Sequence, residues 1–242
     1  MAKIRLDVAL VERGLVESRA KAQELIRAGQ VLVDGREVTK PSLRLTGPEE
    51  LRVTGPAPYV GRAAGKLLGA LAEFAVEPAG MVWADVGAGT GGFTQVLLER
   101  GAARVYALDV GHGQLHPSLR ADERVVVLEG VNARRLEALP EPVAGVVMDV
   151  SFISSTLILP RLYDWLEPGG VALVLVKPQF ELEPGSHGGV VRDETLRRRA
   201  LARVREAAQR VGFSVLGEAE SPLAGKEGNR EFWLHLRKPP RG

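Results

Sequence analysis

Asp85-Val86-Gly87-Ala88-Gly89-Thr90-Gly91-Gly92-Phe93-Thr94 is the stretch on which the fold turns. An apolar run, Met81 to Val86, leads into it, and a helical pattern from about Gly92 to Arg100 leads out. Strand, glycine-rich turn and helix in that order open a βαβ unit. The glycines permit a tight turn and let a ligand approach the backbone at a helix N-terminus. Gly87, Gly89 and Gly92 satisfy the G-x-G-x-x-G spacing, which alone also fits an ordinary turn. Asp109 ends the next strand, Arg104 to Leu108, where a carboxylate can accept hydrogen bonds from both hydroxyls of an adenosine ribose.

Working outward, helical and strand patterns keep alternating. A helix from about Gly65 to Phe74 precedes the glycine stretch, and strands follow at Val125 to Leu128, Val143 to Val150 and Val171 to Val176. A helix from about Glu194 to Val211 comes next, then strands near Phe213 to Leu216 and Glu231 to Leu236. This is an α/β chain with a Rossmann-like, mostly parallel sheet covered on both faces. Gly55-Pro56-Ala57-Pro58 breaks the pattern and sets the expected boundary, residues 1–58 before it and 59–242 after it. Ahead of the break, Asp7 to Arg13 and Ser18 to Ala28 read as two short helices, with Ser18 as N-cap and Gly29 closing the second. The alternating run Val31 to Val38 around Asp34-Gly35 reads as a hairpin. The result is a small α+β head on a larger α/β body.

Composition narrows the chemistry. The 242 residues include no cysteine, which excludes a disulfide scaffold, thiolate metal ligands and a cysteine nucleophile. Its apolar runs are strand-sized, well short of the ~18 residues of a spanning helix. The beginning of the chain lacks the apolar core of a secretory signal, so a cytoplasmic protein is expected. The net charge of +2 is unevenly spread: residues 1–66 hold 12 Lys and Arg against 8 Asp and Glu, and the rest hold 20 against 22. A basic head suits a polyanion. His112, His116, His187 and His235 show no metal-ligand spacing, and no metal is expected.

NAD and S-adenosylmethionine both fit the glycine frame; the remaining strand ends bear on the choice. Asp149 ends one strand in Val-Val-Met-Asp, and Lys177 ends the next in Leu-Val-Lys-Pro. Glu231 opens the last strand, and if that strand is antiparallel its start lies at the same edge of the sheet. Lys66 lies in the first turn of a helix that begins at that edge too. Two lysines and two acids at one mouth suit removal of a proton from an alcohol, with the carboxylates positioning and counterbalancing the amines. Taken singly, each of the four also reads as part of a salt bridge at the edge of a sheet.

Five ordered motifs carry a resemblance: Asp85 to Thr94, Asp109-Val-Gly-His-Gly-Gln-Leu, Asp149-Val-Ser-Phe-Ile-Ser, Val176-Lys-Pro-Gln-Phe-Glu and Glu227-Gly-Asn-Arg-Glu-Phe. Together they closely resemble the TlyA family, ribosomal RNA 2′-O-methyltransferases with an FtsJ-like (RrmJ-like) catalytic domain behind an S4 RNA-binding domain. Arg5-Leu-Asp, Ser18-Arg19 and the Val31 to Val38 hairpin look like S4 landmarks. The resemblance implies S-adenosylmethionine as cofactor, held by Asp85, Gly87, Gly89, Thr90, Gly91, Gly92, Phe93, Asp109 and Asp149, with Asn132 at the adenine. It implies a catalytic Lys-Asp-Lys-Glu tetrad of Lys66, Asp149, Lys177 and Glu231, in which Lys177 is the general base on a ribose 2′-hydroxyl. It also implies cytidine targets in 16S and/or 23S rRNA, within ribosomal subunits or assembly particles. No membrane and no obligate protein partner are expected. Two departures stand out: Gly61-Arg62-Ala63-Ala64-Gly65 replaces a Ser-Arg-Gly-Gly-like stretch, and Gln95 stands where an aspartate is common.

Arg5, Arg19, Lys21 and Arg27 are the expected RNA contacts, and Arg197-Arg198-Arg199 reads as a solvated helix face. Gly188 to Asp193 reads as a lid or a connector. Three other functions remain open at this point. A non-catalytic ribosome-assembly factor would not need the tetrad, an NAD dehydrogenase fits the glycine turn alone, and a haemolysin follows only from a label carried by family members.

Overall fold

The computed structural model describes residues 4–54, 59–183, 189–225 and 227–241; the Gly55 to Pro58 break, His187 and Gly188 lie outside the described residues. The chain divides into two compact units, Met1–Pro58 and Tyr59–Gly242.

The first unit runs β1 (Ile4–Arg5), α1 (Leu6–Glu12), α2 (Arg19–Arg27), β2 (Val31–Val33), β3 (Arg36–Glu37), β4 (Arg44–Leu45) and β5 (Leu51–Val53). Ser18 caps α2, its Oγ accepting from the Lys21 amide at 3.2 Å, and Gly29 leaves the helix at φ +72°. Asp34 and Gly35 both have positive φ, +50° and +75°, as a two-residue type I′ hairpin turn demands. That turn sets Leu32 opposite Glu37, and β5 pairs along the other edge of β2. The apolar sides of α1, α2 and the strands meet in a small core of Leu6, Leu10, Ala22, Ile26, Val31 and Leu45.

The second unit runs α3 (Ala63–Glu73), β6 (Val82–Val86), α4 (Gly92–Glu99), β7 (Arg104–Asp109), α5 (Pro117–Arg120), β8 (Val125–Glu129) and β9 (Val143–Met148). It continues through α6 (Leu159–Trp165), β10 (Leu166–Val176), α7 (Pro178–Glu181), α8 (Glu194–Val211), β11 (Ser214–Glu220) and β12 (Phe232–Arg237). Seven strands form one sheet in the order β11-β12-β10-β9-β6-β7-β8. β12 runs antiparallel to β10 and β11, while β10, β9, β6, β7 and β8 pair in parallel. Because side chains alternate along a strand, the sheet feeds two cores. α6 and α8 cover one with Leu159, Leu162, Trp165, Val204 and Ala208, and α3 and α4 cover the other with Leu67, Leu71, Val96 and Leu97. Gly145 makes room for Trp83, whose ring would lie 2.4 Å from a Cβ at that position.

The topology positions the site. From β6 the chain winds outward through β7 and β8, then returns to lay β9 on the other side of β6. Strand order therefore reverses between β6 and β9, and the crevice beyond their carboxyl ends is where such sheets bind ligands. Antiparallel β12 starts at that same edge, with Phe232 opposite Val176.

Candidate active site

Four chain segments bring their first or last residues to this edge. Asp149 follows β9, Lys177 follows β10, Glu231 precedes β12, and Lys66 is the fourth residue of α3, at the end of its first turn. The Lys177 amine pairs with Asp149 Oδ1 at 2.5 Å. Lys66 Nζ lies 4.0 Å from Asp149 Oδ2 and donates to Glu231 Oε2 at 2.6 Å. The order is Lys177, Asp149, Lys66, Glu231, alternating in sign and summing to zero. All four are largely or wholly buried, Glu231 most of all at 2%. Buried charges need partners of opposite sign, and this chain of contacts supplies them. The expected tetrad residues are thus all neighbours in space.

Lys177 has a further contact that the sequence reading did not assign: Nζ donates to Ser151 Oγ at 2.9 Å. Phe152 follows with φ +63°, unusual for a residue bearing a Cβ, and is 91% exposed. Its ring lies 5.1 Å from that of Phe180. Behind this turn sits Glu181, 1% exposed, which accepts from Ser154 Oγ at 2.5 Å and from the Ser155 amide at 2.8 Å. Asn229 is buried as well: its Oδ1 accepts from the Val191 amide at 2.8 Å and its Nδ2 donates to Gly189 O at 2.9 Å. The described part of the Gly188 to Asp193 loop is therefore fastened close to Glu231. Ser151, Phe152 and Glu181 all stand inside the motifs quoted above, which was the one signal that pointed to them.

The glycine turn is shaped by close approach. Gly87 has φ +86°, and a Cβ there would lie 2.3 Å from the Asp149 carbonyl oxygen. A Cβ on Gly92 would lie 3.1 Å from the Ala64 amide nitrogen, and one on Gly61 would lie 2.6 Å from Thr90 Oγ1. The altered stretch before Lys66 thus packs onto the turn, and Gln95 accepts from the Val60 amide at 2.8 Å. Asp109 Oδ2 accepts from the Gly89 amide and its Oδ1 from the Gly111 amide, both at 2.8 Å. Asp85, wholly buried, accepts from Thr94 Oγ1 at 2.7 Å, while its Oδ1 has no partner among the described residues. Burial pushes the Asp85 carboxyl up to about 7 against the pull of the Thr94 hydroxyl. Thr90 is exposed at the turn, and Gly91 is buried against Leu115 and Leu119. The Phe93 side chain turns inward onto Trp233, with ring centres 5.7 Å apart, and so supports α4 instead of lining the turn. Exposed Asn132 follows Val131, whose amide is tied to Asp109 O at 3.0 Å, and its own Oδ1 accepts from the Arg134 amide.

In the first unit, two of the four expected RNA contacts, Arg5 and Arg19, meet on one buried carboxylate, and a third, Arg27, is linked to it through Gln23. Arg5 donates to Asp7 through Nε and Nη2, at 3.0 and 2.9 Å, and Arg19 Nε donates to it at 3.0 Å. Gln23 donates to Asp7 at 2.8 Å and accepts from Arg27 at 3.4 Å. Lys21 stands apart, paired with Glu24 at 3.0 Å. The Arg5 guanidinium holds the Asp7 carboxyl well below the usual carboxylate range, helped by Gln23 and Arg19.

Comparisons agree with this anatomy. The FtsJ-like methyltransferase family matches residues 59–238, and the S4 domain matches residues 4–51. The 16S/23S rRNA (cytidine-2′-O)-methyltransferase TlyA of Mycobacterium tuberculosis is 47% identical, over 97% of this chain and 90% of that protein. A solved structure from Streptococcus thermophilus, named as a hemolysin, is 41% identical with a TM-score of 0.77, over 99% of this chain and 90% of that one. An S-adenosylmethionine-dependent methyltransferase structure from Listeria monocytogenes shares the fold alone, at 17% identity and a TM-score of 0.57, over 73% of this chain and 99% of that one.

Proposed function

The chain belongs to the TlyA family of FtsJ-like methyltransferases, and from that premise we propose that it transfers the methyl group of S-adenosylmethionine to a cytidine ribose 2′-hydroxyl in ribosomal RNA, in the cytoplasm. The observation that carries this reading is the Lys177–Asp149–Lys66–Glu231 chain at the end of the sheet, next to a glycine cradle. An NAD dehydrogenase would use the cradle and leave the tetrad without a task.

The cradle fits the donor. Each Asp109 oxygen holds one backbone amide and retains a lone pair for a ribose hydroxyl. Asp85 Oδ1, without a partner among the described residues, lies at the base of the turn, and Gly89, where a Cβ would meet nothing within 4 Å, leaves the backbone open to approach. Bound S-adenosylmethionine supplies a methyl group already activated on a sulfonium. What remains for the protein is alignment and proton removal. Lys177 takes the proton of the 2′-hydroxyl as the oxygen bonds to the methyl carbon and that carbon's bond to sulfur breaks, its electron pair staying on sulfur as a neutral thioether. Asp149 steadies Lys177 and links it to Lys66, while Glu231 balances Lys66. Phe152 offers an apolar face beside this mouth for a base taken out of its stack.

Lys177→Ala tests the assignment. With labelled donor and isolated 30S and 50S particles, kcat should fall about 10²- to 10⁴-fold, with donor affinity preserved. Unchanged turnover would refute the base assignment, and absence of methylation by the unaltered protein would favour an RNA-binding assembly factor. Mapping the labelled nucleotide identifies the cytidine and the subunit. Among the described residues no helix is long and apolar enough to cross a membrane.

A further inference from the structure

We propose that Ser151 is a positioning residue that aims the Lys177 amine at its substrate hydroxyl; the inference rests on the reading of Lys177 as the base. A lysine amine sits at the end of four methylenes and rotates freely about its last bond, so one ionic contact fixes its position without fixing its direction. Lys177 has two fixed partners that differ in kind. Asp149 Oδ1 lies at 2.5 Å and Ser151 Oγ at 2.9 Å. Ser151 Oγ accepts one of the three tetrahedral N–H bonds of the ammonium, whereas Asp149 Oδ1 holds it as an ion pair without hydrogen-bond geometry. With that N–H held by Ser151, the lone pair left by loss of another proton is restrained from turning away from the incoming hydroxyl.

The geometry of the Ser151 turn supports this role. Ser151 stands two residues after Asp149, so both oxygens are presented by one short piece of chain. The turn passes through Phe152 at φ +63° and is held from behind by Glu181, which fastens Ser154 and Ser155. Glu181 ends α7, the helix that begins at Pro178 immediately after Lys177. The base and its two oxygen partners are therefore set on segments tied to each other through a buried carboxylate. Ser151 is itself exposed. An exposed serine is free to turn to water, yet this one accepts from the amine.

The test compares Ser151→Ala, Ser151→Thr and Lys177→Ala in the full chain, using labelled donor and ribosomal particles lacking the modification. Ser151→Ala should lower kcat roughly 10- to 100-fold, the scale of a misaligned reacting group, while leaving KM for the donor and for the particles near wild type. Ser151→Thr retains Oγ and should recover most of kcat. Donor binding measured by calorimetry serves as the check that each variant is folded. The proposal is overturned by wild-type kcat in Ser151→Ala, by a loss confined to KM for the particles (Ser151 then touching RNA), or by Ser151→Thr failing as badly as Ser151→Ala. Lys177→Ala separates the two ideas: full activity in that variant ends the base assignment itself. An inactive Lys177→Ala beside an unimpaired Ser151→Ala ends only the role of Ser151.

Discussion

Asp85 shows how a single side chain can tie the cofactor turn to pH. It is wholly buried, one oxygen is satisfied by Thr94, and the other has no partner among the described residues. Desolvation therefore dominates, and its carboxyl titrates at about 7, above the ordinary value of 3.8. The folded state thus holds this proton more tightly than the unfolded chain. The resulting stability is complete below the unfolded value and is lost as pH rises through about 7. Asp85→Asn keeps the shape and never ionises. Its stability relative to wild type should improve between pH 5 and pH 8 by on the order of 1–3 kcal/mol, read as a widening gap in Tm. Parallel pH trends for the two proteins would assign the titration elsewhere.

At the scale of elements, the site is an encounter between turns, and Gly87 is where they touch. A Cβ at this position would meet the Asp149 carbonyl oxygen at 2.3 Å, and φ +86° already disfavours a side chain. Gly87→Ala should push the β6 and β9 turns apart, destabilising the protein by about 1–3 kcal/mol. It should also abolish the thermal shift produced by donor, and loss of stability with that shift intact would contradict the coupling. The elements that the sequence made legible are those whose ends carry local chemistry. α8 begins behind Asp193, whose Oδ1 accepts from the Thr195 amide at 2.7 Å, and stops at Gly212 with φ +115°. Asp34-Gly35 declares its hairpin in the same way. By contrast, α6 was hidden because Pro160 reads as a breaker, although at the first helical turn it costs nothing. β10 starts at Leu166, five residues ahead of the apolar run, because Glu167-Pro168-Gly169-Gly170 crosses a register irregularity against β9. Topology made Lys66, Asp149, Lys177 and Glu231 legible, since each stands at or near the end of an element. The contacts of Ser151 with Lys177 and of Glu181 with Ser154 span 26 and 27 residues, and no local pattern encodes them.

Over the whole molecule, the near-neutral charge conceals a division of labour between its two units. Counted by unit, residues 1–58 hold 10 Lys and Arg against 8 Asp and Glu, a surplus of two, and residues 59–242 hold 22 against 22. Within the S4 unit, charge count matters less than arrangement. Asp7 engages Arg5 through two N–H bonds and Arg19 through one, so neither guanidinium is spent, and both keep donors facing solvent. Holding flexible arginines in place lowers the entropy lost when they meet phosphates. If that is their task, the double variant Arg5→Ala/Arg19→Ala should weaken binding to ribosomal particles. It should also reduce the slope of log K against log salt concentration by about two, one per lost phosphate contact. Donor affinity should not move, because the cradle is built wholly from the second unit. The salt slope is the discriminating quantity. A variant that merely loosened the head would lose affinity with the slope unchanged, whereas loss of phosphate contacts must change the number of counterions released.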